Sequence, residues 1–369
     1  MKQTVRMVLP GVLVGVACAC GSGEPPATNA AAPDALDGKG VWTELKIGWG
    51  HRGALALDRL TGNVFGPCWH ERGVLMSSDL GKTFTRVDGK NVAGDPFSAY
   101  SIFAAADGGK IAVFSSQGNQ LSGHSLDGGK TWTSWTPAGL HGFDYGVVDW
   151  ESGAIFVMPH EEYRPYFSMD MGKNWRKLES IDYPGGSNNP HQVGKFKYYQ
   201  SGIGVFGASE LVYSRDSGTG IQRSEDGGKT WAKVADYFCE GPLQMFKGVG
   251  YWLAKKEEGG KWSGLLLATR DNGKTWQPVG APIENGDSTY MSVLRFGMSE
   301  KHILVAAAEG ILESTTGGAT WSLALKYPEG IKPTAPCVDT PDCFEYDPIH
   351  DVFYVFFFSE ARRTWVYRR

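Results

Sequence analysis

The sequence predicts an all-β fold, a seven-bladed β-propeller of four-stranded antiparallel blades. Three observations support this prediction. An eight-residue pattern with the chemistry of a tight turn occurs six times, at steps of 43 to 56 residues. Repeats of this length are typical of a propeller blade built from four short strands. A seventh unit without the pattern lies at the C-terminus, and a strand near the N-terminus completes it.

The six octets share Ser or Thr at the first position, Gly at the fifth and an aromatic residue at the eighth, and five of them have Asp at the third. They are Ser77–Phe84, Ser125–Trp132, Ser168–Trp175, Ser224–Trp231, Thr269–Trp276 and Ser314–Trp321. Hydroxyl and carboxylate oxygens can accept hydrogen bonds from nearby backbone N–H groups, and Gly adopts positive φ at little steric cost. Each octet is therefore interpreted as a turn between two strands.

The octet pattern resembles the Asp-box (BNR) repeat of the sialidase superfamily. The resemblance implies a propeller in which each octet joins the third and fourth strands of a blade. It also implies that the aspartates are structural, so they are interpreted as turn residues and not as catalytic carboxylates. These are Asp79, Asp127, Asp170, Asp226 and Asp271.

The C-terminal unit supplies only three strands of its own, at Phe344–Asp347, Val352–Phe358 and Arg363–Tyr367. The segment Val41–Leu45 reads like the residues that follow each octet and is the predicted fourth strand. An N-terminal strand in the last blade closes the ring and removes an open sheet edge. Residues 41–369 are thus predicted to form a single propeller.

The first nineteen residues are predicted to be a signal peptide. Lys2 and Arg6 precede the apolar run Met7–Ala17, and small residues follow it. Cys20 resembles the lipidation site of bacterial lipoproteins, although the usual Leu three positions earlier is absent, and residues 20–40 are predicted to be a flexible tether. The protein is expected to be exported, and both lipid anchoring in the cell envelope and plain secretion remain open. A lipid anchor would be its only membrane contact.

Export favours disulfides, and Cys337 and Cys343 enclose a short loop, so they are the predicted pair. Cys68 and Cys239 are left as either a second pair or two thiols. Their spacing does not suit a zinc site, and no metal or cofactor is predicted. The formal net charge is −4 with no basic stripe, which argues against a nucleic-acid partner.

If the octets lie on one face of the propeller, the starts of the first strands and the loops between second and third strands lie on the opposite face. Several ionisable and aromatic residues fall there, and convergence of such groups on one concavity is what a catalytic or ligand site requires. Loops are polar in any case, which is the competing structural explanation. The candidate catalytic residues are His51, His70, Tyr145 and His160. The candidate substrate-binding residues are Arg52, Trp69, Arg72, Arg164, His191, Glu240 and Tyr290.

The leading functional hypothesis is a sialidase-like glycoside hydrolase acting on an acidic glycan. The resemblance implies an arginine clamp for the substrate carboxylate, a Tyr–Glu nucleophile and an Asp acid. Arg52 stands where the family carries its first clamp arginine, without the usual Arg-Ile-Pro motif. Tyr290 with Glu240 is the nearest candidate for the nucleophile pair. A planar guanidinium suits a carboxylate ligand.

Two alternatives stay open. Propeller lyases that act on uronic-acid glycans carry paired His, Tyr and Arg residues. Here, similarly, His51 and His70 are 19 residues apart, as are Tyr145 and Arg164. A His or Tyr would abstract the proton beside the carboxylate. The other alternative is a non-catalytic propeller that binds a glycan or a cell-surface protein, since fold does not decide function. A monomer is expected in each case.

Overall fold

The computed structural model describes residues 39–45, 47, 55–68, 73–87, 102–103, 108–114, 122–135, 143–159, 164–179, 181, 202–214, 220–239, 241–258, 261–283, 293–307, 310–329, 344–357 and 363–369. In these ranges thirty strands form seven sheets and no helix occurs. The predicted all-β, seven-bladed propeller is confirmed. The predicted signal peptide and almost all of the predicted tether lie outside the described residues.

The blades follow one another along the chain, and within each blade the strands run in order from the channel outward. Blade 1 consists of β2 (Ala56–Leu57), β3 (Val64–Cys68), β4 (Gly73–Ser77) and β5 (Thr85–Arg86), and blade 2 of β6 (Ile102–Phe103), β7 (Ile111–Val113), β8 (Ser122–Ser125) and β9 (Thr133–Trp135). Blade 3 consists of β10 (Phe143–Asp149), β11 (Ala154–Pro159), β12 (Tyr166–Ser168) and β13 (Arg176–Lys177), and blade 4 of β14 (Gly202–Val205), β15 (Leu211–Ser214), β16 (Ile221–Ser224) and β17 (Ala232–Ala235).

Blade 5 consists of β18 (Phe238–Cys239) and β20 (Gln244–Phe246), both paired with β21 (Val249–Glu258), followed by β22 (Lys261–Thr269) and β23 (Gln277–Ile283); the short β19 (Gly241–Pro242) joins blade 4. Blade 6 consists of β24 (Leu294–Phe296), β25 (Ile303–Ala306), β26 (Gly310–Ser314) and β27 (Ser322–Lys326). Blade 7 consists of β28 (Phe344–Asp347), β29 (Val352–Phe357), β30 (Arg363–Arg368) and the N-terminal β1 (Trp42–Glu44).

The ring is closed by the N-terminal strand, as the sequence predicts. Strand β1 pairs antiparallel with β30, with Trp42 opposite Tyr367. The two rings lie 5.2 Å apart between centroids. Beyond the strand, the backbone N–H of Leu45 donates to the carbonyl oxygen of Thr364 at 2.8 Å. The C-terminal blade is therefore held by a segment about 320 residues earlier in the sequence.

The hydrophobic core is divided among the contacts between neighbouring blades. Among the described residues, seven buried clusters each join one adjacent pair of blades, so that together they run around the whole ring. The cluster between blades 7 and 1, for example, packs Leu57 and Val64 against Val352 and Tyr354. Each blade buries both of its faces because it contacts two neighbours, which explains the continuous apolar runs in the inner strands.

Blade 5 departs from the regular four-stranded pattern because its innermost strand is interrupted. Strand β18 pairs with Ala254 and Lys255 in the second half of β21, and β20 pairs with residues 249–251 at the start of β21. Between them β19 turns to pair in parallel with β14 of blade 4. The indole N–H of Trp252 donates to the carbonyl oxygen of Gly241 at 3.0 Å and holds this detour in place.

Arg369, directly after β30, ties blade 7 to blade 6. Both Nη atoms of Arg369 donate to the carboxylate of Glu313 on β26 at 2.8 Å, and Arg369 Nε donates to Asp351 Oδ1 at 2.9 Å. His302 Nε2 lies 2.6 Å from Glu313 Oε1. The hydrogen bonds from Arg369, reinforced by the one from His302, lower the pKa of the Glu313 carboxyl despite the opposing effect of burial.

We expect Arg369→Leu to reduce the free energy of unfolding by about 1–2 kcal/mol at pH 7, because a bidentate charged hydrogen bond is lost. A carboxyl whose folded pKa is lowered contributes stability above its unfolded pKa and loses it as the pH falls through the folded value. The difference between wild type and Arg369→Leu should therefore shrink below about pH 4.5. Urea unfolding from pH 7 to pH 3 measures this difference. A pH-independent difference, or one that persists unchanged in a Glu313→Gln background, would contradict it.

Candidate functional site

All six octets lie between the third and fourth strands of blades 1 to 6 and share one end of the propeller, which we name the octet side. Their hydrogen bonds repeat closely. In Ser224–Trp231, the Ser224 hydroxyl oxygen accepts from Gly228 N at 2.7 Å while its O–H donates to Asp226 Oδ1 at 2.8 Å. Asp226 in turn accepts from Thr230 N and Thr230 Oγ1 at 2.9 and 2.7 Å. The interpretation of the octet aspartates as turn residues is confirmed.

These contacts also fix the protonation state of the turns. Hydrogen bonds from the side chain and backbone of Thr131 lower the pKa of Asp127 to about 2. Those from the backbone and side chain of Thr230 lower the pKa of Asp226 as well. A carboxylate that stays ionised and already accepts several hydrogen bonds within its own turn is a poor general acid. The octet aspartates therefore stabilise the fold and are not candidates for catalysis.

A second aspartate turn, which the sequence analysis missed, lies on the octet side between the first and second strands of three blades. In blade 1, Asp58 accepts from Leu60 N at 3.0 Å and from Gly109 N of blade 2 at 2.7 Å. Asp149 and Asp347 hold the corresponding turns of blades 3 and 7. The shared signal in the sequence is an Asp at the end of the first strand of the blade or directly after it.

The end of the ring opposite the octets is named the loop side, and the sequence predicts that the candidate site residues lie there. His51, Arg52, Trp69, His70, Arg72, His160, His191, Glu240 and Tyr290 lie outside the described residues, as do Cys20, Cys337 and Cys343. Tyr145 lies in β10 opposite Met158, directly after a register shift, and only its backbone is described. The structure therefore leaves the proposed grouping of these side chains as a prediction.

Arg164 is the one predicted site residue whose side chain is described. It lies before β12, at the outer end of the loop that joins the second and third strands of blade 3. Its guanidinium forms an ion pair with Glu179, and the two side chains are 35% and 63% exposed. Arg164 is thus held toward the periphery of the blade, and a substrate carboxylate would have to compete with Glu179 for it.

The structure also places Glu210 and two of the cysteines. Glu210 lies on the octet side, between β14 and β15. There it accepts from Asn272 Nδ2 of the next octet at 2.7 Å and pairs with Arg223. Cys239 is completely buried among the apolar side chains between blades 4 and 5. Cys68 lies in β3, where only its backbone is described.

The central channel contains a buried ion pair formed by equivalent positions of adjacent inner strands. Arg295 on β24 donates from Nε and Nη2 to the two carboxylate oxygens of Glu345 on β28, both at 2.9 Å. The residues are 6% and 7% exposed. A bidentate geometry of this kind aligns the planar guanidinium with the carboxylate and compensates for the loss of hydration.

A second arginine, Arg59, reaches across the channel from blade 1. Its Nη2 donates to the carbonyl oxygens of Phe296 and Gly297 in blade 6, the latter at 3.0 Å. Burial lowers the pKa of Arg59, while the charges of Glu345 and Arg295 act in opposite directions on it. No local signal in the sequence points to this cluster, because its members come from three different repeats.

Among the residues that the structure describes, no group of three or more His, Cys, Asp or Glu side chains is arranged to hold a metal ion. Nor do the described residues include a helix long and apolar enough to cross a membrane.

No protein-family model matches the chain, and no curated protein matches it in sequence. Solved structures do resemble it. The GH74 enzyme of Niastella koreensis is 14% identical with a TM-score of 0.55, covering 85% of this chain and 52% of that one. The GH74 xyloglucanase of Xanthomonas campestris is 15% identical with a TM-score of 0.56, covering 88% and 55%.

An oligogalacturonate lyase in complex with manganese is 10% identical with a TM-score of 0.50, covering 86% of this chain and 89% of that one. The present chain spans about half the length of the two GH74 enzymes. At these identities the likenesses establish the propeller fold and leave the chemistry to the residues of this chain.

Proposed function

We propose that this chain is an exported, carbohydrate-directed propeller that acts as a sialidase-like glycoside hydrolase on an acidic glycan. The glycan would bind at the loop side. The observation that carries the proposal is that the octet aspartates are engaged in their own turns at one end of the ring, so they are not available to a substrate. The candidate ionisable residues are predicted to lie at the other end. The resemblance of the octets to Asp-box repeats supports the same assignment.

In this proposal the arginines of the loop side bind the acidic group of the glycan. Arg52 and Arg72 come from blade 1, next to the channel by sequence position, and are the preferred clamp. Arg164 is a weaker candidate because Glu179 already occupies its guanidinium. Tyr290 with Glu240 would supply the nucleophile, since a carboxylate can activate a neighbouring phenol by accepting its proton. His51, His70 and His160 would serve as acid–base groups, and Trp69 and His191 would contact the sugar.

The proposed location follows from the N-terminal sequence. A basic start, a short apolar run and small residues before Cys20 support export with a lipid anchor on that cysteine. Labelling with a radioactive fatty acid in a bacterial host, compared with Cys20→Ser, tests the anchor. Label on the wild type alone supports it, and label on neither protein assigns the chain to plain secretion.

A lyase acting on a uronic-acid glycan is the second candidate, because an oligogalacturonate lyase shares the fold over most of both chains. Here Arg52 would neutralise the uronate carboxylate and a His or Tyr would remove the adjacent proton. A non-catalytic glycan-binding or protein-binding propeller is the outcome that remains if neither reaction occurs.

Two assays distinguish these possibilities. Release of a fluorophore from a sialic-acid glycoside is expected for the hydrolase, and a rise in ultraviolet absorbance on polyuronate is expected for the lyase. We expect His70→Ala and Arg52→Ala each to lower the observed activity by about 100-fold or more, as for loss of an acid–base or charge-stabilising group.

The matched controls are His350→Ala and Arg270→Ala, which remove the same residue types from the octet side. Both controls should retain nearly full activity with unchanged circular dichroism. Equal losses in the loop-side and octet-side variants would assign the effect to stability. Full activity in both His70→Ala and Arg52→Ala would place the active site elsewhere.

A further inference from the structure

The octet-side end of the central channel opens into a cavity of about 710 Å³. Its walls come mainly from the inner strands and from the turns after them in blades 1, 3, 5, 6 and 7. Pockets of about 300–1,000 Å³ are the usual size for small-molecule ligands. The cavity lies at the opposite end of the ring from the loop side, so it is distinct from the site proposed above.

Apolar side chains surround this opening. In the described part of the chain eight large hydrophobic side chains are exposed, and four of them line this cavity. Leu60, Met245, Met298 and Ile349 come from four different blades and are 64%, 47%, 67% and 53% exposed. Exposed apolar side chains that converge on a concave surface are typical of a binding site, whereas isolated ones need no explanation.

The charged residues of the cavity give it an excess of positive charge. Arg59, Lys247 and Arg295 line it together with a single carboxylate, Glu345. Arg295 and Glu345 neutralise each other through their bidentate pair. Asp347 does not line the cavity, and its carboxylate is held by its own turn and by His350. The charge that remains facing the cavity is therefore that of Arg59 and Lys247, which favours an anion.

Hydrogen-bond donors are also available there. Among the described residues, Arg59 donates only through Nη2, to the two backbone carbonyls of blade 6. Its Nε and Nη1 groups are left to serve a planar acceptor such as a carboxylate. An acceptor brought by a ligand would therefore pair with these donors of Arg59.

We propose that this cavity binds a small apolar monocarboxylate. The carboxylate accepts from Arg59, and the apolar body packs against Leu60, Met298 and Ile349 at the opening. The burial that lowers the pKa of Arg59 supports this arrangement, because an anion beside the guanidinium offsets the loss of hydration. The site does not depend on the reaction proposed for the loop side.

Three probes with the same ring system and different charges test the proposal. Isothermal titration calorimetry at pH 7 measures binding of 2-naphthoate, 2-naphthol and 2-naphthylmethylammonium to the wild-type chain. We expect the carboxylate to bind about tenfold or more tightly than the neutral alcohol, and the cation not to bind detectably. Equal affinities for all three, or no binding of 2-naphthoate at millimolar concentration, would overturn the proposal.

Variants locate the binding event. Met298→Glu places a negative charge at the exposed rim and should weaken 2-naphthoate binding about tenfold, and Arg59→Gln should remove the preference for the carboxylate over the alcohol. The matched control is Met169→Glu, an exposed methionine of the blade 3 octet that is absent from the cavity lining. It should bind like the wild type. Unchanged binding in Met298→Glu, or an equal loss in both glutamate variants, would show that the cavity is not the site.

Discussion

Gly172→Ala is expected to lower the free energy of unfolding by about 3 kcal/mol, because it combines a backbone cost with a steric one. Gly172 has φ of +77°, and a Cβ added there would lie 2.7 Å or less from three atoms of the Trp135 ring. Trp135 cannot easily move, since it is 2% exposed and its Nε1 donates to His124 Nδ1 at 2.9 Å. Denaturant unfolding followed by tryptophan fluorescence measures the change.

Gly128→Ala is the matched control. Gly128 is the fourth residue of the blade 2 octet, whereas Gly172 is the fifth residue of the blade 3 octet. Gly128 has φ of +74°, but nothing lies within 4 Å of its added Cβ. The same octet position holds Leu80, Met171 and Asn272 in other blades, all with positive φ. Only the backbone cost of about 1 kcal/mol should remain. If the two variants lose equal stability, the contact between the octet and the preceding blade is not what requires Gly172.

Arg295→Met is expected to destabilise the protein by about 3 kcal/mol, because it leaves a buried carboxylate without its bidentate partner. Glu345 is 7% exposed, so water cannot readily replace the two hydrogen bonds. Arg59 interacts electrostatically with Glu345, but its hydrogen bonds go to backbone carbonyls of blade 6, so it does not replace Arg295 as a donor to the carboxylate. The loss should appear as a lower denaturation midpoint with an unchanged slope.

The double variant Arg295→Met/Glu345→Leu tests the cause of that loss. Replacing both charges by apolar side chains of similar size is often close to neutral in proteins, so most of the stability should return. A double variant as unstable as Arg295→Met would instead indicate that packing of the long arginine side chain is what matters.

The octet residues can be interpreted from the sequence because each octet makes its hydrogen bonds within about eight residues. Ser77, for example, bonds Asp79 and Gly81, and the same spacing recurs in every copy. The closing strand is also predictable, since Val41–Leu45 resembles the residues after the octets. Local spacing and repetition carry this information.

The channel cluster is not predictable in the same way. Nothing in the local sequence distinguishes Arg59, Arg295 or Glu345. Their contacts join residues 50 and 237 positions apart. The contacts of Glu210 with Arg223 of its own blade and Asn272 of the next blade also form only when the blades pack together. The detour of β19 into blade 4 likewise depends on packing around Trp252.

The amino-acid sequence by itself determined the number of blades, the position of the turns and the closure of the ring, because these follow from short-range hydrogen bonds repeated at a nearly constant period. Only the tertiary structure decided which side chains share the central channel. Curving seven sheets into a ring brings the same position of neighbouring repeats to within hydrogen-bond distance, and no local pattern records which partner each position meets.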